Sequence, residues 1–255
     1  MNIHYMSDLH LEFSSLTENP KPSSKDSILV LAGDIFTSRC KYGKMQDIFN
    51  MDFEKILMIA GNHEFYDGNI QNEVLDIKQL IEELGYDKKI IYLDNEVFEQ
   101  NDVVFIGSTL WSDFDWGKPT VMEEARMYMN DYSIINNGSN VLNPEDILEK
   151  FNDNVRFLKN QLERVDKEKK VVVITHNPPT YRCVEQKFKG DSLNGAFVSD
   201  LHDVLKSYKI DYWICGHVHS SHDFILHETN IVCNPRGYAT HEINENFDIN
   251  KKFSI

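Results

Sequence analysis

Short apolar runs alternate with helical patterns along the whole chain, and this alternation predicts an α/β protein. Continuous apolar runs, which are typical of buried strands, occur at residues 3–7, 27–32, 55–60, 103–107, 171–175 and 212–215. Weaker strand patterns occur at residues 90–93, 96–98, 223–226 and 231–233. No internal repeat, low-complexity run or linker interrupts this pattern, so we predict one domain over residues 1–255.

Three segments have the apolar spacing of helices. The first is predicted over residues 69–84. The second begins at Asn143 as N-cap with Pro144 in the first helical position, and its apolar face covers residues 147–165. The third is predicted over residues 196–208. The other long segments are predicted to be loops: residues 12–25, 108–118 and 177–195.

Polar side chains follow five of the predicted strands directly. The clearest example is Gly61-Asn62-His63-Glu64, which comes after the apolar run 55–60. Glycine lets the backbone turn sharply without a Cβ clash, and the next side chains then lie at the sheet edge, where open α/β folds bind ligands. The five clusters are Asp8 with His10, Asp34, Asn62 with His63, His176, and His217 with His219.

These clusters together predict a metal site. Taken singly, the first four clusters are also explained by a turn, a helix cap or a satisfied loop histidine, whereas His217 and His219, two apart at a strand end, have the spacing of ligands. Five of the 10 histidines follow apolar runs in this way. Histidine, aspartate and asparagine are nitrogen and oxygen ligands that suit Mn²⁺, Fe or Zn²⁺. One aspartate can bridge two such ions, and two ions about 3.5–4 Å apart form the clamp used in phosphoryl displacement.

The net charge of the chain argues against one class of binding partner. The formal net charge is -15, from 41 acidic and 26 basic residues. Such a surface repels phosphate backbones, so binding to long nucleic acid is not expected. A phosphate substrate is still compatible with this charge, because a bound metal pair would invert the potential locally.

The four cysteines (Cys40, Cys183, Cys215 and Cys233) are far apart in the sequence and form no Cys-x-x-Cys pair. Cys215 and Cys233 lie in apolar runs and are interpreted as small buried hydrophobic residues. Neither a disulfide framework nor a cysteine zinc site is indicated, which fits a reducing cytoplasm. No signal-type segment and no apolar run of about 20 residues is present, so neither secretion nor membrane insertion is expected.

The ordered motifs Asp-x-His, Gly-Asp, Gly-Asn-His-Glu, His and Gly-His-x-His resemble those of the calcineurin-like metallophosphoesterase superfamily. They extend from Asp8 to His219 and so cover most of the chain. Residues 107–114, 190–194 and 234–238 also resemble a branch of small bacterial and phage members. The resemblance implies a four-layer αββα sandwich of two mixed β-sheets flanked by helices, with metals at the carboxyl ends of strands.

The same resemblance implies roles for the clustered residues. One ion would be held by Asp8, His10 and His219, the other by Asn62, His176 and His217, with Asp34 bridging the two. His63 would be the general acid. Two ions are expected, with Mn²⁺ first and Fe, Zn²⁺ or Ni²⁺ as alternatives.

Elementary chemistry agrees with these roles. Two ions bridged by Asp34 would lower the pKa of a shared water and give a hydroxide nucleophile near neutral pH. His63 titrates in the useful range and could protonate the leaving alkoxide. Glu64 either orients His63 or a ligand, or is a solvated carboxylate. The expected reaction is hydrolysis of a phosphate mono- or diester of a small molecule or nucleotide.

Departures from the superfamily patterns narrow the substrate class. Protein phosphatases of the superfamily continue Gly-Asp-x-x-Asp-Arg-Gly, but Ile35-Phe36-Thr37-Ser38-Arg39 stands here. The double-strand-break nucleases of the superfamily have a capping domain after the phosphoesterase core, and residues 237–255 leave no room for one. An enzyme acting on short oligonucleotides stays an alternative, as does a non-catalytic interaction module, although such modules tend to lose ligands.

Three arginines are candidates for holding a non-reacting phosphate: Arg39, Arg182 and Arg236. For each of them, an exposed solvating charge is the simpler interpretation.

Overall fold

The apolar runs form two β-sheets in the computed structural model, which describes residues 1–239 and 241–255. The strands of the first sheet are β1 (Asn2–Met6), β2 (Ile28–Ala32), β3 (Lys55–Ile59), β4 (Ile90–Tyr92) and β15 (Lys252–Ser254). Those of the second are β5 (Glu96–Gln100), β6 (Val103–Gly107), β9 (Lys170–Ile174), β10 (Tyr212–Cys215), β11 (His222–Leu226) and β12 (Thr229–Cys233). Two short ribbons are formed by β7 (Asn136–Asn137) with β8 (Asn140–Val141), and by β13 (Gly237–Tyr238) with β14 (Glu242–Ile243).

Both sheets are mixed, as expected. The first has the order β15-β1-β2-β3-β4 and is parallel except for the β15–β1 pair. The second has the order β11-β12-β10-β9-β6-β5 and is antiparallel only at its two outer pairs. Because β1, β2 and β3 are parallel, as are β9 and β10, the carboxyl ends within each group share one edge of their sheet.

The two sheets pack face to face. Ile28, Val30 and Ala32 of β2 belong to a buried cluster that also contains residues of the second sheet. Leu29 and Leu31, which point the other way, belong to the cluster that includes the helices. Strands covered on both faces must be apolar at every position, which explains the continuous runs in the sequence.

The helices lie outside the sheets. They are α1 (Lys41–Phe49), α2 (Glu73–Glu83), α3 (Phe114–Gly117), α4 (Pro119–Tyr128), α5 (Asp131–Ile134), α6 (Pro144–Leu162) and α7 (His202–Ser207). At the start of α6, the Asn143 side chain accepts from the Asp146 N–H, and the Asp146 carboxylate accepts from the Asn143 N–H. This capping box confirms the predicted N-terminus. In the described part of the chain, no helix combines the length and apolar character needed to cross a bilayer.

The predicted helix over residues 196–208 is wrong in its first half, since only α7 forms there. The backbone before α7 is bonded elsewhere. The Ser199 N–H donates to the Pro178 carbonyl and the Leu201 N–H donates to the Pro179 carbonyl. These groups are therefore not available for helical hydrogen bonds.

Other boundaries also shift. The helix predicted over residues 69–84 begins later, at Glu73. The predicted loop 108–118 contains α3, in which Phe114, Asp115 and Trp116 have positive φ. The prediction also omitted α1, α4 and α5. The loop predicted over residues 177–195 is not featureless, since it contains three short 3₁₀ turns: Tyr181–Cys183, Gln186–Phe188 and Ser192–Ala196.

Candidate metal centre

The five polar clusters meet at the carboxyl edges of the two sheets. They follow β1, β2 and β3 of the first sheet and β9 and β10 of the second. Three groups of side chains there could each hold a metal ion, because their donor atoms lie within 4.8 Å of one another: Asp8 with His10 and His219; Asp34 with His176 and His217; and His10 with Glu12 and His63. The structure thus brings together residues separated by about 200 positions.

The backbone is strained where it delivers these ligands. Asp8, His10, Asp34, His217 and His219 all have φ between 44° and 69°. This left-handed region is uncommon for residues other than glycine and costs of order 1–3 kcal/mol each. Such strain persists only where the surrounding structure enforces it, and five of the seven predicted ligands carry it.

Two glycines allow the ligands to approach the backbone. A Cβ on Gly61 would overlap Asp34 Oδ1 and would lie 2.7 Å from His176 Nε2. A Cβ on Gly216 would lie 2.6 Å from Asp8 Oδ2. The glycines before Asn62 and His217 are therefore required by close packing around the ligands as well as by the turns.

The first group of ligands is pre-oriented. His219 Nε2 lies 3.4 Å from Asp8 Oδ1 and 3.1 Å from His10 Nε2. His10 Nδ1 lies 3.1 Å from Glu12 Oε1, so its proton is held by that carboxylate. The Nε2 lone pair of His10 is then directed toward Asp8 and His219. A histidine binds a metal ion in this way, with one ring nitrogen hydrogen-bonded to a carboxylate and the other free to bind the ion.

The second group is oriented in the same way. The His176 Nδ1–H donates to the Ala32 carbonyl at 2.9 Å, so Nε2 is the nitrogen that remains to bind an ion. That Nε2 lies 3.3 Å from Asp34 Oδ2 and 3.2 Å from His217 Nδ1. Asn62 Oδ1 is buried and has no hydrogen-bond partner among the described residues, while its Nδ2 donates to the Tyr66 hydroxyl. An orphaned buried oxygen beside histidine and aspartate donors fits a cation.

Asp34 lies between the two groups. Its Oδ2 is 3.3 Å from His176 Nε2 of the second group and 3.9 Å from His10 Nε2 of the first. A single carboxylate in contact with both groups is the feature expected of a bridging ligand. The donor set, made of imidazole, carboxylate and amide groups, suits Mn²⁺, Fe or Zn²⁺.

The charges in the centre call for positive compensation. Burial alone would raise the pKa of Asp34, but the charges of His176 and His63 hold it well below its ordinary value. Burial would likewise lower the pKa of His176, but Asp34 beside it raises that pKa to about 10. Burial and the neighbouring His176 lower the pKa of His217 to about 3. A metal ion at Nε2 would take the place of the second proton that Asp34 favours on the His176 ring.

Comparison with known proteins identifies the family. Residues 1–221 match the model of the calcineurin-like phosphoesterases. The chain belongs to this family. The superfamily predicted from the motif order is confirmed.

Two known proteins are similar to this chain over most of its length. The "Uncharacterized protein L509" of Acanthamoeba polyphaga mimivirus is 29% identical over 273 residues, which cover 95% of this chain and 92% of that protein. The crystal structure of a phosphopantetheinyl hydrolase (PptH) from Mycobacterium tuberculosis has a TM-score of 0.69 and 17% identity, and covers 93% of this chain and 89% of that one. The latter likeness shows a shared fold of two mixed sheets flanked by helices.

His63 lies beside the predicted ligands and lines the adjoining cavity. Its Nδ1 is 2.9 Å from Glu12 Oε1, and its Nε2 is 3.2 Å from the Tyr238 hydroxyl and 4.0 Å from Asp34 Oδ2. Burial would lower the pKa of His63, but the charge of Asp34 and the hydrogen bond with Glu12 raise it to about 9. Tyr66 stacks on the ring at 4.1 Å between centroids.

Glu12 was not among the predicted site residues. Its Oε1 contacts Nδ1 of both His10 and His63, and so one carboxylate fixes the orientation of both rings. The sequence does contain a signal, because Asp8, His10 and Glu12 follow one another at every second position. The contact with His63 is 51 positions away and could not be inferred from that spacing.

Glu64 is fully buried, which excludes the solvated alternative. Its Oε2 accepts from the N–H groups of Asp34 and Gly61, at 2.9 and 2.7 Å. Its Oε1 accepts from the N–H groups of Ile35 and Phe36. Burial and the charge of Asp34 raise the pKa of Glu64 to about 7. Glu64 therefore orients a ligand through the backbone, by joining the turns after β2 and β3.

Replacing Glu64 with glutamine is expected to loosen both turns. The amide can accept through one atom only, and its NH₂ would face two backbone donors, which costs about 1–3 kcal/mol. Since Glu64 supports the ligands, we expect metal affinity to fall about 10–100-fold. Metal titration and thermal unfolding measure the two effects. The exposed Glu82→Gln is the matched control, and equal behaviour of the two variants would contradict this role for Glu64.

The described residues that line the cavity beside the centre include none of the three candidate arginines. Arg236 is buried and donates to the carbonyls of Leu9, Ser14 and Ser15, so it supports the segment that carries His10. A substrate-binding role predicted for Arg236 is not supported by this placement.

The other two arginines lie at the surface. Arg182 donates to the Ile225 carbonyl at 3.3 Å, and its guanidinium lies over the Phe224 ring. Arg39 is exposed in the 3₁₀ turn Ser38–Cys40. The structure brings neither of them to the cavity, and the simpler interpretation of a solvated or locally paired charge fits both.

The cavity has about 400 Å³ of volume and opens over the metal centre. Asp34, Asn62, His63, His217 and His219 form its floor. Its walls come mainly from the segment before α5 and from the loop after β9, and their apolar members are Tyr66, Tyr128, Met129, Val184, Phe188, Leu193, Phe197 and Val198. Among the described lining residues there is no lysine and no arginine.

Proposed function

We propose that this chain is a dinuclear metal-dependent phosphoesterase that hydrolyses small phosphate mono- or diesters. One observation carries the proposal: Asp34 Oδ2 lies within 3.9 Å of histidine nitrogens from two separate ligand groups. Membership of the calcineurin-like phosphoesterases supports the reaction class. All seven predicted ligands are present, which argues against a non-catalytic module on the same fold.

The seven predicted ligands would hold two metal ions. Asp8, His10 and His219 would hold one ion, and Asn62, His176 and His217 the other, with Asp34 contacting both. When bound, two ions would supply the acidity that makes water a nucleophile and would neutralise charge on the phosphoryl oxygens. The acidic cavity would otherwise repel the substrate.

His63 would donate the proton to the leaving alkoxide. Its position at the cavity floor is set from behind by Glu12, which contacts Nδ1 and leaves Nε2 facing the substrate side. The charges of Glu12 and Asp34 favour the protonated ring, which is the form that a general acid needs. Tyr238, whose hydroxyl lies 3.2 Å from Nε2, would hold the ring until the leaving oxygen takes its place.

The cavity walls favour an uncharged, partly apolar leaving group. Phe188, Leu193 and Phe197 offer apolar contacts, while Asp131 and Glu185 would repel a second phosphate. With no lysine or arginine among the described lining residues, nothing there compensates the charge of a polyphosphate. A phosphate ester with an uncharged arm therefore fits better than a nucleoside polyphosphate.

Phosphopantetheine is a phosphate ester with an uncharged arm of this kind, and the structurally similar Mycobacterium tuberculosis protein is described as a phosphopantetheinyl hydrolase. We include this ester among the first substrates to test. The support comes from the cavity chemistry, because 17% identity carries the fold and not the substrate.

A panel of phosphate esters tests the proposal. Chromogenic mono- and diesters, phosphopantetheine, a nucleoside diphosphate, and short RNA and DNA are each incubated with Mn²⁺, Ni²⁺, Zn²⁺ or Mg²⁺. We expect hydrolysis of the small esters with Mn²⁺, its loss with a chelator, and its return when Mn²⁺ is added back. Faster cleavage of the oligonucleotides would favour the nuclease alternative. No turnover by metal-loaded protein would overturn the proposal.

A further inference from the structure

Three of the four cysteines meet in the interior and form a group separate from the donors of the candidate metal centre. Cys183 ends the 3₁₀ turn Tyr181–Cys183, and Cys215 and Cys233 are the last residues of β10 and β12. The three Sγ atoms lie within 4.8 Å of one another, and those of Cys215 and Cys233 are 2.8 Å apart. All three residues are almost completely buried.

The sequence indicated no such site. Cys215 and Cys233 are buried, as predicted for small hydrophobic residues, but that interpretation did not place them together. The two strands are parallel neighbours whose register pairs Cys215 with Cys233. Cys183 arrives from the loop after β9, 32 positions before Cys215. Spacings of this length match no short cysteine motif, so only the fold shows the cluster.

We propose that Cys183, Cys215 and Cys233 bind one thiophilic d¹⁰ metal ion, such as Zn²⁺, Cd²⁺ or Cu⁺. Soft thiolate ligands select such ions, whereas the nitrogen and oxygen donors of the dinuclear centre suit harder ones. Binding forms three metal–sulfur bonds and releases three thiol protons. A disulfide would use only two of the three sulfurs, and their burial keeps oxidants away.

The position of the cluster gives the ion a structural role. Cys215 is followed by Gly216 and His217, so it anchors the strand end that carries two predicted ligands of the dinuclear centre. Cys183 precedes Val184, which lines the cavity. An ion bound to all three sulfurs would fasten the cavity wall to the sheet behind the dinuclear centre.

A Cd²⁺ titration of the reduced full-length chain tests this site. The dinuclear centre is first loaded with Mn²⁺, and Cd²⁺ is then added while the ultraviolet thiolate-to-metal charge-transfer absorption is recorded. The dinuclear centre has no sulfur donor and cannot produce this band. We expect the band to saturate at one equivalent of Cd²⁺ in the wild type.

The variants Cys183→Ala and Cys233→Ser are expected to lose or weaken the band. Cys40→Ala is the matched control, because Cys40 bonds to Thr37 and lies outside the cluster, and it should keep the full band. An unchanged band in both cluster variants would overturn the proposal. So would the absence of any band in the wild type.

A second measurement needs no variant and covers the case in which the substitutions prevent folding. Because the three thiols are buried, labelling of the wild type is followed with and without Cd²⁺ at a urea concentration at which they react. We expect Cd²⁺ to protect three of the four cysteines, with Cys40 still reacting at its original rate. Equal labelling in both samples contradicts the site. Detection of a Cys215–Cys233 disulfide by mass spectrometry, in protein prepared without reductant, would overturn the metal site and indicate a redox-active cysteine pair.

Discussion

Asp34→Asn is expected to lower kcat by more than about a hundredfold and to reduce the bound metal from two ions to fewer than one. Asp34 Oδ2 faces both ligand groups, so an amide at this position removes the charge shared by the two ions. Loss of a group that merely supports a metal ligand typically costs 10–100-fold in affinity or activity, and loss of a bridging ligand should exceed that.

Elemental analysis of the dialysed protein and steady-state rates on a chromogenic ester measure these effects. The exposed Asp87→Asn changes the net charge by the same amount and should leave both quantities unchanged. The Asp34 variant should still fold, since its Oδ1 can continue to accept from the His63 N–H. Two tightly bound ions in Asp34→Asn would show that Asp34 does not bridge.

The strands and the candidate ligands could be predicted because they depend on local chemistry. An apolar run that ends in Gly33-Asp34 or Gly61-Asn62 already specifies a buried strand with polar groups at its end. The parallel order of β1, β2 and β3 then brings those ends to one edge. The order of the motifs further identified the superfamily, which the family comparison confirms for residues 1–221.

What could not be predicted depends on contacts distant in the sequence. Nothing near Arg236 indicates that its guanidinium is enclosed by carbonyls of residues 9–15. The predicted helix does not form before α7, because the N–H groups of Ser199 and Leu201 donate to carbonyls of the loop after β9. The cysteine cluster was missed for the same reason, since its three members come from separate elements.

Asn62 and His63 are adjacent but are predicted to differ in role, and paired substitutions can separate the two. Asn62→Ala removes the orphaned buried oxygen, so we expect it to weaken one of the two metal sites. His63→Ala should keep both ions and lower kcat about 10²–10⁴-fold, the usual contribution of a general acid. Elemental analysis and kcat measured on the same preparations provide the comparison.

Esters with different leaving groups test whether His63 donates a proton to the leaving oxygen or instead binds a metal ion. An ester of an acidic phenol departs without protonation, whereas an alkyl ester depends on the acid. The rate lost in His63→Ala should therefore be larger for the alkyl ester, and a plot of log kcat against leaving-group pKa should become steeper. His63 also belongs to a third possible ligand group, with His10 and Glu12. If His63→Ala releases an ion and slows both esters equally, His63 is a ligand and the leaving alkoxide takes its proton from another group.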